Sequence, residues 1–415
     1  MEKLSVKNFL VIKEAEFDIK KINIIIGKQA SGKSVLSKLV YFFREFLSET
    51  LLNSITDEEI NKSKLKSLAI SKFNRYFSSD FWILDYFEIK YQNHEFEIVL
   101  NNKKNKKKLT FDYSKNLSNL HGKLRNQYKK EIKKSTADFD KNKVLDDIFD
   151  KDFFKEDHSI KFTPVTFIPS NRYFLSMLDN NMFFFFKNGV NIDPFIENFG
   201  FDYNISKSLY QKVCDALTKS FPNFIIKSNI LIENILIGKF ILEKSKSWIE
   251  YKDSKTSIQF CSSGQQEALP MLLTLFTAPL LKLYENKLLS IILEEPEAHL
   301  FPVAQKHIIS LIASISNQLD TNFIITTHSP YILTAINNLI YTADVRKNND
   351  SDEFDKEFDT SYDIQYENVS AYTFNNGVLE TILDDDARLI GTNIIDGVSD
   401  YFEDNFNKLA SFDRS

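Results

Sequence analysis

A segment near the N-terminus has the residue types and spacing of a phosphate-binding loop. It reads GKQASGKS over residues 27–34 and matches the pattern G-x-x-x-x-G-K-[ST]. Glycines let a backbone wrap an anion, and the N–H groups of such a loop and the following helix attract phosphate. Lys33 should bridge the β- and γ-phosphates, and Ser34 should coordinate Mg²⁺. The predicted nucleotide-binding residues are Gly27, Lys28, Gln29, Ala30, Ser31, Gly32, Lys33 and Ser34.

Two adjacent glutamates end an apolar run in the segment IILEEPE, residues 291–297. An apolar strand that ends in carboxylates suits a metal-dependent phosphate site. Glu294 should lie near the Mg²⁺ ion as a metal ligand, and Glu295 should orient or deprotonate the attacking water. An acidic helix N-terminus, favoured by the helix dipole, would explain the same residues. The presence of the phosphate loop favours the metal-dependent site.

Two further polar segments have both a structural and a functional interpretation. Residues 261–267 read CSSGQQE, and a serine there can cap a helix. The functional alternative is that this helix N-terminus binds the γ-phosphate of a nucleotide held by another subunit. His328, in the segment TTHSP, follows an apolar strand and could contact the γ-phosphate, although such histidines are often structural. The predicted residues of the first segment are Ser262, Ser263, Gly264 and Gln265.

The elements that must position these residues follow from hydrophobic periodicity. Residues 22–26, 289–293 and 322–326 are continuous apolar runs, which are typical of strands buried on both faces. Helical spacing covers residues 33–46, 57–77 and 266–283, and an acidic stretch at 344–368 predicts a solvated loop. Strands alternating with helices predict an α/β fold with a mainly parallel sheet. Further strands are predicted at 1–19, 83–91, 95–100, 163–169, 230–242 and 248–251, and a strand pair and helix at 369–409.

Composition excludes several classes of protein. The chain has 415 residues, a formal net charge of −5 and two cysteines, which give neither a disulfide framework nor a metal-ligand spacing. The longest apolar stretch, residues 269–281, contains two prolines and is shorter than the ~20 residues of a membrane span. We therefore expect a soluble cytoplasmic protein without a membrane partner. The acidic balance argues against non-specific nucleic-acid binding by the whole surface, while a local basic patch stays possible.

The order of the four segments resembles that of ABC-type ATPases. EEPEAHLFPVAQ resembles the Walker B region of the AAA15/AAA21 group, which is similar to the overcoming-lysogenization-defect, RecF and SMC ATPases. CSSGQQE resembles its degenerate signature, TTHSP its switch histidine and TFIPSNR its I-P-x-x-R segment. The resemblance implies ATP and Mg²⁺ as cofactors, Glu295 and His328 as catalytic residues, and Ser34 and Glu294 as metal ligands. It assigns no lid glutamine or adenine-stacking residue, and Arg172 is the candidate for the lid contact.

The resemblance also implies an organisation and an output. The fold would be an ABC-type ATPase head, with N-terminal antiparallel strands, a mixed and largely parallel sheet, flanking helices, and a helical and β insertion between Walker A and the signature. Residues 1–115 would form the N-terminal part of the core, 116–255 a mostly helical insertion or lid, and 256–415 the C-terminal part.

A homodimer or higher homo-oligomer would close around ATP–Mg²⁺. It would control a separate effector, a nuclease, as in bacterial anti-phage systems, because no Toprim nuclease pattern follows the ATPase motifs. The alternative is a DNA-binding repair or chromosome-maintenance ATPase that contacts nucleic acid through the basic run at 103–108.

Overall fold

The computed structural model of the chain describes residues 2–82, 86–102, 108–134, 163–178, 192–285, 287–348 and 351–391. Most of the basic run at 103–108, the middle of the predicted insertion and the predicted C-terminal helix lie outside these residues.

The strands are β1 (Glu2–Phe9), β2 (Ile12–Ile19), β3 (Ile22–Ile26), β4 (Glu88–Asn93), β5 (Phe96–Asn102), β6 (Leu109–Tyr113), β7 (Val165–Ile168), β8 (Lys239–Glu243), β9 (Lys246–Tyr251), β10 (Ser254–Ser257), β11 (Ser290–Glu294), β12 (Asn322–Thr327), β13 (Val369–Asn375), β14 (Val378–Thr381), β15 (Leu383–Asp384) and β16 (Leu389–Ile390).

Helices connect most of the parallel strands. They are α1 (Lys33–Glu45), continued by a π-helical segment (Phe46–Leu51), α2 (Leu52–Thr56), α3 (Lys62–Tyr76), α4 (Lys115–Lys134), α5 (Tyr173–Leu178), α6 (Pro194–Leu217), α7 (Pro222–Leu236), α8 (Ser263–Tyr284), α9 (Pro302–Leu319), α10 (Pro330–Arg346) and α11 (Asp352–Glu357). Single 3-10 turns occur at Ser79–Phe81, Ile258–Phe260, Thr360–Tyr362 and Tyr366–Asn368.

One mixed sheet contains the strands that the phosphate loop and the glutamates follow. Its order is β6-β5-β4-β1-β2-β14-β13-β3-β12-β11-β7. The strands β13, β3, β12, β11 and β7 run parallel to one another, whereas β6, β5, β4, β1 and β2 form antiparallel pairs. The predicted α/β class, with a mixed sheet and N-terminal antiparallel strands, is confirmed. Because parallel strands end at a common edge, the loops after β3, β12 and β11 meet there.

Two cores with different side chains pack against this sheet. One covers one face of the parallel strands and is mostly Ile and Leu, contributed by β3, β11, β12 and the helices α8 and α9. The other covers the antiparallel strands and, through Ile25 and Ile292, the opposite face of the parallel strands. It is rich in aromatic rings, such as the packed set Phe9, Phe73 and Phe87. Both cores therefore support the edge that carries the predicted site.

One prediction made from periodicity was wrong, and one made from the charge pattern was incomplete. Residues 230–236 belong to the helix α7, because Pro222 occupies its first turn and its apolar residues repeat at helical spacing; a strand begins only at Lys239. The acidic stretch at 344–368 is not a plain solvated loop. It contains α11, and its charges are paired, as in the ion pairs of Arg346 with Asp355 and Asp363.

The predicted division into three segments stays a prediction, with one qualification. The strand β7 lies inside residues 116–255, yet it pairs in parallel with β11 in the main sheet, with Ile168 opposite Leu293. This segment therefore contributes a strand to the core as well as the helices α4, α6 and α7. Within the described residues, one helix, Ser263–Tyr284, is long and apolar enough to cross a membrane, but 72% of its apolar window is buried inside the molecule. It is packed as a core helix.

Candidate active site

The phosphate loop joins the end of β3 to the start of α1. Gly32, the residue before α1, is left-handed with a φ of 117°. A Cβ atom at this position would lie 3.1 Å from the Ile12 side chain, so both conformation and space call for glycine. The Ser31 hydroxyl is buried and has no hydrogen-bond partner. An unused hydroxyl donor inside such a loop fits a phosphate oxygen, while Lys28, Gln29 and Ala30 are exposed.

Lys33 lies at the centre of the predicted site. Its Nζ donates to the carbonyl oxygens of Gly27 at 2.8 Å and Lys28 at 2.9 Å, and it lies 3.2 Å from His328 Nε2. Burial lowers the pKa of Lys33, while the charges of Glu295, Glu297 and Glu294 act in the opposite direction. The lysine is thus held among carbonyls and carboxylates at the position where the motif predicts phosphate.

Glu294, the last residue of β11, has the surroundings expected of a metal ligand. It is 4% exposed, and burial raises the pKa of its carboxyl group. A hydrogen bond with Ser34 and the charge of Lys38 oppose that shift, and the Ser37 hydroxyl donates to Glu294 Oε1 at 3.4 Å. A hydroxyl and a carboxylate next to a phosphate loop form a donor set that suits Mg²⁺. Ser34 and Glu294 would therefore be able to hold that ion.

Glu295 and His328 are brought together from two neighbouring strands. His328 Nε2 lies 3.3 Å from Glu295 Oε1, and both side chains are about one-third exposed to solvent, at 28% and 34%. Glu295 has a φ of 44°, which is unusual for a residue with a side chain, and its N–H donates to the Thr326 carbonyl at 2.8 Å. Lys33, Glu295 and His328 thus form one contact cluster at the end of the parallel strands.

Glu297 is a residue that sequence reasoning missed. Its Oε1 accepts hydrogen bonds from the His328 N–H at 2.6 Å and from the Thr327 hydroxyl at 2.8 Å. Its Oε2 is buried without a hydrogen-bond partner. Glu297 therefore fixes the backbone that carries His328. The only signal in the sequence was the position of Glu297, two residues after Glu295.

Residues 262–265 form the N-terminus of α8. The Ser262 hydroxyl accepts the Gln265 N–H, and Gln265 Oε1 accepts the Ser262 N–H, which is a complete capping box. Ser262 and Ser263 are exposed. A Cβ atom at Gly264 would lie 2.8 Å from the His299 carbonyl oxygen, so glycine lets this helix approach the segment after Glu295. Among the described residues, the hydrogen bonds of Ser262 and Gln265 do not reach residues 27–34 of the same chain.

Arg172 does not lie where a lid contact to a phosphate would. Its side chain is 0% exposed, and it donates to the carbonyl oxygens of Pro169 at 3.0 Å, Glu294 at 2.7 Å and Glu295 at 3.0 Å. Burial lowers the pKa of Arg172, and Glu267 is the first of the carboxylates that counter this. The predicted lid role is therefore not supported, because the guanidinium group is occupied by the backbone behind the glutamate pair.

Comparison with known proteins adds one family match. A family model described as an AAA ATPase domain matches residues 187–333, which include the α8 N-terminus, the glutamate pair and His328 but not the phosphate loop. This part of the chain is therefore similar to an ATPase domain. None of the curated proteins compared with the chain matches it.

Several solved structures are similar over most of the chain. The SmcHead bound to the C-winged helix domain of ScpA is 13% identical, covers 92% of this chain and 96% of its own, and has a TM-score of 0.42. The SMC head domain from Thermotoga maritima is 13% identical over 92% and 97% of the two chains, with a TM-score of 0.36. The recombination mediator RecF with ATPrS is 10% identical over 92% and 97%, with a TM-score of 0.35. Because these TM-scores are below 0.5, the fold is assigned from the strand order and not from these similarities.

Proposed function

We propose that this protein is an ABC-type ATPase that converts ATP and water to ADP and phosphate. The observation that carries the proposal is the cluster at the end of the parallel strands. There His328 lies 3.2 Å from Lys33 Nζ and 3.3 Å from the Glu295 carboxylate, although the three residues are far apart in sequence. Such a convergence of a phosphate-loop lysine, an acid and a histidine fits phosphoryl transfer to water.

Each residue of the cluster has a role in this proposal. Residues 27–34 would bind the nucleotide phosphates, and Ser34 and Glu294 would hold Mg²⁺, which neutralises phosphate charge when bound. Glu295 would accept the proton of the attacking water, since its carboxylate is partly exposed at the site. His328 would contact the γ-phosphate region, and Glu297 would keep its backbone in place. Lys33 would exchange its bonds to loop carbonyls for bonds to phosphate.

The proposal includes a homodimer that closes around ATP. The N-terminus of α8 supports this part, because Ser262 and Ser263 are exposed there and their helix N–H groups suit an anion. A second copy would present this surface to a nucleotide held by residues 27–34 of the first. Hydrolysis would then open the dimer.

The output of this cycle is proposed from the resemblance of the motifs. ATP-driven closing and opening would control a separate effector protein, a nuclease, in defence against phage. The contacts of the described residues support the ATPase site and do not bear on the effector. The alternative, direct DNA binding by a repair-type ATPase, predicts salt-sensitive binding through residues 103–108, of which 103–107 lie outside the described residues.

The variant Glu295→Gln tests the ATPase proposal. It removes the proposed base but keeps the size of the side chain, so kcat should fall by about 100-fold or more while ATP binding is retained. Because hydrolysis is blocked, addition of ATP should also increase the fraction of dimer, which analytical sedimentation measures. Glu285→Gln, at an exposed position after α8, is the matched control and should hydrolyse ATP like wild type. Wild-type turnover in Glu295→Gln would refute the assignment of the base.

A further inference from the structure

The segment from Ser170 to Ser176 lies between two parts of the proposed site. On one side, the Arg172 guanidinium donates to the carbonyl oxygens of both Glu294 and Glu295. Glu294 is the last residue of β11, and Glu295 is the proposed base. The φ of 44° at Glu295 shows that the backbone turns sharply at this point. Arg172 therefore holds the peptide groups whose orientation sets the direction of the Glu295 side chain.

On its other side the segment is bound to the first turns of α8. Both carboxylate oxygens of Glu267 accept backbone N–H groups, from Arg172 at 3.3 Å and from Tyr173 at 2.8 Å. The Arg172 Nε atom also lies 3.4 Å from Glu267 Oε1, and this ion pair is fully buried. Glu267 is two residues after Gln265, so the contact is made within one turn of residues 262–265.

A proline in α8 supplies a third contact with this segment. Pro270 has no N–H group, so the Gln266 carbonyl loses its usual partner within the helix. The Ser176 hydroxyl donates to that carbonyl at 2.5 Å. The Gln266 side chain in turn donates to the Ile258 carbonyl at 2.8 Å. The start of α8 thus lacks one hydrogen bond within the helix, and Ser176 and Glu267 bind it to this segment.

We propose that Arg172 is a positioning residue that, together with Glu267, couples the N-terminus of α8 to the backbone of Glu294 and Glu295. A ligand or second subunit that displaces residues 262–265 would shift Glu267, and through Arg172 the direction of the Glu295 carboxylate. Hydrolysis in one subunit would thereby depend on what its own α8 N-terminus contacts. This inference rests on the proposed ATPase function. The coupling between α8 and the backbone of Glu294 and Glu295 can, however, be measured without ATP turnover.

The first test uses Arg172→Lys and Glu267→Gln in the full chain. Lysine lacks the several directed donors of arginine, and glutamine cannot accept both N–H groups with two oxygens. Each variant should lower kcat about tenfold while the dissociation constant of ATP, measured with a fluorescent ATP analogue, changes by less than about threefold. Arg44→Lys is the matched control, because Arg44 is also a buried arginine paired with a glutamate, Glu2, away from this site. It should lower the melting temperature but leave kcat unchanged.

A double-mutant cycle with Ser262→Ala distinguishes coupling between the α8 N-terminus and Arg172 from a general loss of stability. Ser262→Ala should lower kcat less in the Arg172→Lys background than in wild type, with a coupling of about threefold or more. The cycle of Ser262→Ala with Arg44→Lys should be additive. Additivity in both cycles, or an equal fall of kcat in Arg172→Lys and Arg44→Lys, would overturn the inference.

Hydrogen exchange gives a readout that does not depend on activity. In Arg172→Lys the amides of residues 263–268 and 294–300 should both exchange about tenfold faster, whereas Arg44→Lys should leave these two segments protected. Glu267→Gln serves the same purpose if Arg172→Lys does not fold. An absence of wild-type hydrolysis would refute the proposed function alone. If exchange became faster in only one of the two segments, the coupling alone would be refuted.

Discussion

A buried arginine from another element contacts each end of β11, and the two arginines bind the strand through different groups. At the first residue, Ser290, Arg44 donates to the serine hydroxyl and makes a two-point ion pair with Glu2, at 2.8 Å for both bonds. At the last residue, Glu294, the Arg172 side chain donates to backbone carbonyls. Arg44 thus pairs with the Glu2 carboxylate, whereas Arg172 pairs with Glu267 of α8 and binds Glu294 and Glu295 through their backbone carbonyl groups.

The two ends of β11 also differ in how the nearby carboxylates are held. Burial acts to raise the pKa of Glu2, but the charge and hydrogen bonds of Arg44 and the hydrogen bond of Tyr91 together outweigh burial and lower it. Burial raises the pKa of Glu294, and the groups that oppose this shift include Lys38 and Ser34 rather than an arginine. A carboxylate whose two oxygens both bind one arginine, as in Glu2, has fewer lone pairs left for a metal ion. The arginine at the Glu294 end binds the peptide carbonyl groups, so it does not occupy the carboxylate oxygens of Glu294 and Glu295.

The largest expected effect is at the Ser290 end. Arg44→Met should destabilise the protein by about 3–5 kcal/mol, because the Glu2 carboxylate would stay buried without its partner. Urea unfolding measures the free energy, and the double variant Glu2→Gln/Arg44→Met should recover part of the loss. The kcat of the folded protein should not change. A fall in kcat as large as that of Arg172→Lys would break the distinction between the two ends.

A smaller effect is expected from Gly264→Ala near the Glu294 end. The new Cβ atom would lie 2.8 Å from the His299 carbonyl oxygen, which belongs to the backbone and cannot rotate away. We expect a loss of about 1–3 kcal/mol together with a fall in kcat, since the start of α8 must move. Gly122→Ala in α4 is the control, because a Cβ atom there meets nothing within 4 Å. It should be neutral or stabilising by about 0.5–1 kcal/mol.

The smallest expected effect is a change in the pH dependence of stability. Burial raises the pKa of Asp202, on α6, to about 6, while a hydrogen bond with Thr166 of β7, next to β11, acts against the shift. Stability that Asp202 contributes in acid is therefore lost as the pH rises through about 6, whereas the Glu2 contribution is lost as the pH falls.

Asp202→Asn should raise the melting temperature by a few degrees at about pH 7.5 and leave it unchanged below about pH 4. Asp215→Asn, at an exposed position of the same helix, should behave like wild type at every pH. Equal melting temperatures of Asp202→Asn and wild type across the pH range would show that the Asp202 carboxylate is not held in a desolvated site.

The sequence predicted those parts of the molecule whose signal is local. The apolar runs at 22–26, 289–293 and 322–326 are strands of the sheet, since strands buried on both faces need no alternation. Residues 230–236 were assigned to a strand because a short run of Ile and Leu fits both periods, and the choice depends on the helices packed against α7.

The candidate site shows the same limit. The motif positions of Lys33, Glu295 and His328 could be read from the chain, because each follows a recognisable strand. The role of Arg172 could not, because it depends on contacts with Glu267 and Glu294 that only the folded sheet and helix bring within reach. The paired charges of residues 344–368 were missed for that reason as well.

The position of β3 has a consequence for how the chain folds. Its five residues pair with β12 and β13, whose first residues are Asn322 and Val369. During synthesis at roughly 5–20 residues per second, about 15–60 s pass before the first of these partners exists. Throughout that interval an isoleucine-rich strand has two unpaired edges, which is the kind of segment that associates with other chains. We expect the yield of folded protein to rise at low temperature if aggregation slows more than translation does. We expect the same result when a chaperone covers this strand.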